Sequence, residues 1–303
     1  MRRLVKLKSV PMNNDNIFKK AKGAYLYDIK SLKFYDFRFN DNILGYSDKK
    51  ISTRLKNNIS NGMSIVGNSV YCLRFLKILE KDFSEEYEPF FTNSLEEFIF
   101  KLEYFATNNN YKVQYMGERF IKYITCILPD KNIYPESSNI CVIDAAQYYL
   151  EDKPIPVSEG KINVINYYRF PEYKPETLGA DLVILPEFIS GGMKNAYLMI
   201  KKKSALKNII FQTLYDLPSF FIEISLNYYR AIKSLEYGLL SVPKLKWKNI
   251  VQKGRIFSFT NEDDEPVNKF KQNGILINPF PDYNFLPLIL EDYQKKHLLK
   301  IDV

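Results

Sequence analysis

Apolar and polar positions along this chain follow two periods, and the change from one to the other predicts its elements. Asn139-Ile140-Cys141-Val142-Ile143-Asp144 is a short, continuously apolar run ending in an acid, the profile of a strand buried on both faces of a parallel sheet. Asp181-Leu182-Val183-Ile184-Leu185-Pro186 repeats that profile, and Asn208-Ile209-Ile210-Phe211-Gln212 predicts a third such strand. Phe90-Phe91-Thr92-Asn93 reads as a strand entering a turn. Helical spacing governs residues 48–61, stopped by Asn61-Gly62, and residues 68–81, with Val70, Leu73, Phe75, Leu76 and Leu79 on one face. It returns over 94–107, through Phe98, Ile99, Leu102 and Phe105, and over a long helix from Pro218 to Leu235. An irregular basic lead precedes two alternating runs, Gly23–Asp28 and Lys33–Phe37, that predict a β-hairpin. The tail alternates strands (Gly254–Phe259, Gly274–Asn278) with a final helix near Glu291–Leu299.

Strands alternating with helices in the middle predict an α/β fold with a mainly parallel sheet flanked by helices. The mixed ends predict a smaller α+β lobe formed from both termini. The expected division is 1–55 for the N-terminal part of the small lobe, 56–235 for the large α/β domain and 236–303 for the rest of the small lobe.

Composition narrows the function classes. At 303 residues and 46% apolar content, the chain can bury one large core or two lobes sharing one. No run approaches the roughly 20 apolar residues that span a bilayer, and the basic start lacks a signal-peptide apolar segment, so a cytoplasmic, membrane-free protein is expected. Cys72, Cys126 and Cys141 lie far apart without a CxxC pair and read as free thiols of a reducing compartment. The net charge of +8 comes from lysines scattered along the chain, with Lys201-Lys202-Lys203 the longest basic run. That pattern reads as solvated surface and gives nucleic acid little support; a basic polyanion-binding module is the minor alternative. The single histidine, His297, stands beside no nucleophile, which argues against His-based metal sites and Ser-His-Asp chemistry.

Several short motifs, taken in order, resemble the class III aminotransferases of fold type I, and especially the glutamate-1-semialdehyde aminomutase group. They are Lys22-Gly23-Ala24-Tyr25-Leu26-Tyr27-Asp28 with Tyr35-Asp36-Phe37, then Leu44-Gly45-Tyr46-Ser47 and Asn61-Gly62-Met63-Ser64. Asn93-Ser94-Leu95-Glu96-Glu97-Phe98, Ile143-Asp144-Ala145-Ala146-Gln147 and Leu185-Pro186-Glu187-Phe188-Ile189-Ser190-Gly191-Gly192-Met193 follow, then Gln212-Thr213 and Gly274-Ile275-Leu276-Ile277-Asn278-Pro279. The resemblance covers nearly the whole chain. It implies pyridoxal phosphate held by a lysine imine, a carboxylate at the pyridine nitrogen and phosphate donors at a helix start. Asp144 would be the carboxylate, Gln147 an amide near the ring oxygen, Ser94 and Glu96 part of the phosphate cradle, and Thr213 a phosphate contact across a dimer interface. Asp144 reads equally as an ordinary helix N-cap.

The departures from that pattern are larger than the agreements. Glu187 stands at the imine-lysine position and cannot condense with an aldehyde; the nearest lysine is Lys194, downstream. Ser94-Leu95-Glu96 replaces a Ser-Gly-Thr cradle, adding a carboxylate where a phosphate would sit. Gly117-Glu118-Arg119-Phe120 falls where the resemblance implies an aromatic cover for the ring, and the stretch that follows is short. Residues 148–175 read as an aromatic-rich insertion. The resemblance therefore implies a degenerate homologue, structural or regulatory, with the cofactor lost or weakly held. It would pair with itself or with an active paralogue. The alternative is an active enzyme on an amino acid or amino sugar, using the cofactor non-covalently or using Glu187 and Asp144 as an acid–base pair.

Overall fold

The computed structural model describes residues 17–38, 44–60, 70–83, 85–129, 137–167, 179–193, 195–210, 219–234, 243–260, 265–278 and 284–286. In chain order, β1 (Phe18–Lys22), β2 (Tyr25–Asp28) and β3 (Lys33–Asp36) are followed by α1 (Lys49–Ser60) and α2 (Val70–Asp82). The central region holds β4 (Tyr87–Thr92), α3 (Leu95–Asn108), β5 (Val113–Met116), α4 (Glu118–Ile127), β6 (Ile140–Asp144) and α5 (Ala145–Leu150). It continues with β7 (Ile162–Asn166), β8 (Leu182–Ile184), a 3-10 turn (Glu187–Ser190), β9 (Ala196–Lys201), α6 (Lys207–Ile210) and α7 (Ser219–Ser234). Last come β10 (Ile250–Lys253), β11 (Ile256–Phe259), α8 (Glu265–Gln272), β12 (Ile275–Leu276) and β13 (Asn284–Phe285).

A six-stranded sheet in the order β4-β9-β8-β7-β6-β5 forms the main layer. β5, β6, β7 and β8 are mutually parallel, and β9 is antiparallel to both its neighbours, so β4 points the same way as the parallel set. After β4 at one edge the chain crosses through α3 to β5 at the other, then returns strand by strand. This places the start of α3 and the C-terminal ends of β5 to β8 along one rim of the sheet. Strand alternation divides the core into two layers. Leu198 and Ile200 of β9 pack on the face that receives Phe98, Ile99 and Leu102 of α3. Tyr197 and Met199 pack on the other, with Phe75 and Leu79 of α2 and Ile222 and Leu226 of α7.

The chain ends meet in a smaller lobe. β12 pairs in parallel with β3 (Ile275 opposite Tyr35), completing a four-stranded sheet, and β10-β11-β13 forms a three-stranded one. Their shared core is aromatic: Trp247 lies 4.3 Å from Phe270 and edge-on to Phe257, which in turn meets Phe37. Lys253 of β10 ion-pairs with Asp152 after α5 and covers the Tyr149 ring, tying this lobe to the main one.

Three expectations need correction. Residues 207–210 form a turn of helix, not a strand, because β9 already supplies the antiparallel partner of β8 and the chain turns back on itself through Ser204 and Lys207. A short apolar run does not by its periodicity distinguish the two states. The stretch taken as an insertion contains β7, a central strand between β6 and β8; its asparagines, Asn163 and Asn166, hide the strand signal although both are buried. The end of the basic lead is β1, paired with β2. The third-strand residues 211–212, the final helix and His297 lie outside the described residues, as do Asn61-Gly62-Met63-Ser64.

Candidate functional site

Open parallel sheets offer ligands the crevice beyond the carboxyl ends of their strands, where helix N-termini converge. Here that rim brings together Thr92-Asn93-Ser94 after β4, Gly117 after β5, Asp144 ending β6, Asn166 ending β7, and Glu187 shortly after β8. Asn195 joins them just before β9. Thr213 and Lys194 lie outside the described residues.

Ser94 is the N-cap of α3: its Oγ accepts the Glu97 backbone N–H at 3.1 Å. The Glu97 carboxylate reaches back and accepts the Asn93 N–H at 3.0 Å, and it also ion-pairs with Lys101 at 2.7 Å. Thr92 Oγ1 donates to the Ser94 carbonyl at 2.7 Å. This is a reciprocal capping arrangement, in which side chains of the helix satisfy donors that an anion would otherwise use. Glu96, half-buried, adds a second carboxylate to the first turn. At about 4 Å and an effective dielectric of about 20, a phosphate charge beside one carboxylate is disfavoured by roughly 4 kcal/mol. That exceeds the ~0.3–2 kcal/mol a helix N-terminus offers an anion.

Glu187 opens the 3-10 turn after β8 and is half-buried. Its carbonyl accepts the Ser190 hydroxyl at 2.7 Å, while Ser225 of α7 donates to the Ser190 carbonyl at 3.3 Å. Gly191 follows at φ 64°, where a Cβ would stand 3.1 Å from the Tyr228 side chain and 3.2 Å from Ile224. The Ser190-Gly191-Gly192 segment thus has a packing role: α7 lies directly on it. Below the turn Asn195 donates to the Tyr197 hydroxyl at 2.6 Å, and burial pushes the Tyr197 phenol well above its ordinary range.

Asp144 ends β6 at the N-cap position of α5, yet its side chain makes no capping hydrogen bond there. It is 3% exposed because Gly117 lies against it: a Cβ on Gly117 would fall 2.6 Å from the Asp144 Cβ. Gly117 sits at φ 113°, so only glycine permits this approach. Gln147, one turn into α5, is committed on both sides of its amide. Its Oε1 accepts the Glu118 N–H at the start of α4 at 2.7 Å, and its Nε2 donates to Glu151 at 2.7 Å. Glu151 is held below the usual carboxylate range by its bonds to Lys153 and Gln147.

The sheet register separates the two acids that sequence reasoning paired. Asp144 is opposite Asn166, and Asn166 is opposite Ile184, so β7 stands between Asp144 and the strand leading to Glu187. Two interstrand steps place those backbones about 9.6 Å apart. The strand end nearest the Glu187 turn carries Asn166, a 2% exposed amide that the sequence reading passed over inside the supposed insertion. Asn195 was missed as well; an asparagine flanking an apolar strand is the signal that marks both.

Among the described residues, those that the sequence motifs assign to pyridoxal phosphate fit it poorly: Glu187 is an acid and cannot form an imine, Ser94 caps the Glu97 N–H, the Gln147 amide is engaged, and Asp144 is covered by the Gly117 backbone. Among the described residues no cluster of His, Cys, Asp and Glu could hold a metal ion, and no helix is long and apolar enough to cross a membrane. The cysteines are free, Cys72 and Cys141 buried and Cys126 exposed.

No protein-family model matches the chain, and no curated protein sequence does. Solved structures do. An ornithine aminotransferase from Toxoplasma gondii superposes with a TM-score of 0.67 at 13% identity, covering 95% of this chain and 90% of its own. Plasmodium falciparum ornithine delta-aminotransferase gives 0.66 at 15% identity, with 96% and 94% covered. Acetylornithine aminotransferase from Elizabethkingia anophelis gives 0.65 at 14%, with 96% of each chain covered. At such identities the likeness carries the fold and nothing finer. Over nearly its whole length, the chain has the fold-type I architecture of the class III, pyridoxal-phosphate-dependent aminotransferases.

Proposed function

We propose that this protein is a non-catalytic member of the aminotransferase fold, a structural or regulatory homologue that has lost transamination and does not hold pyridoxal phosphate. The observation that carries this reading is the pair of carboxylates, Glu96 and Glu97, in the first turn of α3, where Ser94 also takes the Glu97 N–H. A phosphate at a helix start is favoured by free N–H groups and opposed by carboxylates in the first turn. Glu187 at the imine position points the same way. Kinship with the glutamate-1-semialdehyde aminomutase group rests on the ordered sequence motifs. Pairing with a second copy or with an active paralogue belongs to the same reading, as does a cytoplasmic location.

The test is an amino-transfer assay with purified protein, pyridoxal phosphate, ornithine or glutamate as donor, and an oxo-acid acceptor. No turnover above the cofactor-only rate is expected. Cofactor-dependent turnover abolished by Glu187→Ala would overturn the reading and favour an active enzyme with a non-standard site.

A further inference from the structure

α1 and α7 pack together at one side of the main lobe, and their meeting faces depart from ordinary helix packing. Adjacent helices of a globular core usually meet through apolar stripes. Among the described lining residues only Ile51 and Ala231 are apolar, both packed against the main core. Beyond them the stripe on α1 is Lys49, Thr53, Arg54 and Asn57, and the stripe on α7 is Asn227, Arg230 and Ser234. These residues line a cavity of about 680 Å³, within the range of small-molecule sites.

The chemistry of the lining is one-sided. Among the described residues it contains three cations and no carboxylate, and none of Lys49, Arg54 and Arg230 takes part in an ion pair with another of them. Asp48, the acid nearest in sequence, caps α1 by accepting the Ile51 N–H at 3.0 Å. Lys233 on α7 is directed elsewhere, to Asp82 at 2.6 Å. The neutral groups are polarised in the opposite sense. Thr53 donates its hydroxyl hydrogen to the Lys49 carbonyl, Ser234 to the Ala231 carbonyl, and Asn227 its amide hydrogen to the Glu223 carbonyl, each at 2.8 Å. With those hydrogens committed, the Thr53 and Ser234 hydroxyl oxygens remain as acceptors, and Asn227 keeps its amide oxygen and one amide hydrogen. The cavity thus offers charged donors for anionic oxygens and neutral acceptors for hydroxyl or amino hydrogens, with an apolar floor.

We propose that the groove between α1 and α7 binds a small diphosphate ester that carries hydroxyl groups, of the nucleoside diphosphate type. Arginine forks pair with phosphate oxygens through two parallel hydrogen bonds, and two arginines on different helices suit two phosphate groups. The acceptors Thr53, Asn227 and Ser234 suit sugar hydroxyls, and Ile51 with Ala231 suits a planar body. None of its described lining residues is among the rim residues named above, so the proposal does not rest on whether that rim retains any chemistry.

The experiment is calorimetric titration of the full chain with ADP and with pyrophosphate at fixed ionic strength, for the parent and for Arg54→Gln/Arg230→Gln. ADP is expected to bind one per chain, with pyrophosphate competing for the same site. The double variant should lose at least tenfold in affinity while keeping its circular dichroism, since both side chains are exposed. Lys49→Gln, at the exposed start of α1, gives an independent reading and should weaken ADP at least threefold. Absence of binding by either probe, or equal affinity in the folded variants, would overturn the proposal. So would binding of duplex nucleic acid alone, which would mark an extended polyanion surface instead.

Discussion

The Glu97 carboxylate accepts the backbone N–H of Asn93 at 3.0 Å while the Ser94 hydroxyl caps the Glu97 N–H in return. The first turn of α3 thus carries its own carboxylate at a helix end, where partial positive charge otherwise suits an anion. Two statements follow about the same residues: they should matter for stability, and they should be indifferent to phosphate.

Ser94→Ala is expected to lower stability by about 1 kcal/mol, the usual loss for an N-cap hydroxyl. In a chain of 303 residues that corresponds to a fall in Tm of roughly 1–2 °C. Thermal melts with and without millimolar phosphate check both parts. A drop that phosphate reverses would mean that the helix end still receives an anion.

Gly117 and Gly160 both have positive φ, but only Gly117 presses on a neighbour. Gly160→Ala meets nothing within 4 Å and should cost about 1–2 kcal/mol, the left-handed backbone penalty alone. Gly117→Ala places a methyl 2.6 Å from the Asp144 Cβ at a φ of 113°, and should cost about 3 kcal/mol or more. Denaturant midpoints of the two variants measure the difference. Equal costs would mean that the α4 start does not pack on Asp144 as described.

Continuous apolar runs made β6 and β8 legible, and the helical spacing of Phe98, Ile99 and Leu102 made α3 so, because burial on both faces or on one stripe leaves a periodic mark. β7 left no such mark: Asn163 is a polar residue type at a buried strand position, where its amide is satisfied by the Ser158 and Lys161 carbonyls, so the run is not continuously apolar. Without that mark, residues 148–175 read as an insertion between Asp144 and Glu187. The candidate site residues rest on motif order alone. What they do could not be read there, since Gln147 and Ser94 are the same residue types whether they hold a ligand or cap a helix.

Alkaline pH should expose the buried phenols. Burial raises the pKa of Tyr115, Tyr167, Tyr197 and Tyr229 above the ordinary 10.0; Tyr115 also donates to Glu103 at 2.6 Å and Tyr229 to Asp82 at 2.8 Å. The folded state therefore holds these protons more tightly than the unfolded chain. Their contribution to stability is complete below pH 10 and is lost as pH rises beyond it. Tyrosinate absorbance and circular dichroism followed together should show that these four phenols ionise only with unfolding. Full tyrosinate absorbance from a still-folded protein would contradict the placement of the rings.

The central claim, that the rim of the main sheet does not accept pyridoxal phosphate, is tested most directly by equilibrium dialysis against the cofactor, followed by borohydride reduction and peptide mapping. The prediction is retention no greater than that of a basic protein of similar lysine content, with pyridoxyl label spread thinly over surface lysines. Stoichiometric label on a single lysine, displaced by a non-reacting phosphate analogue of the cofactor, would contradict it.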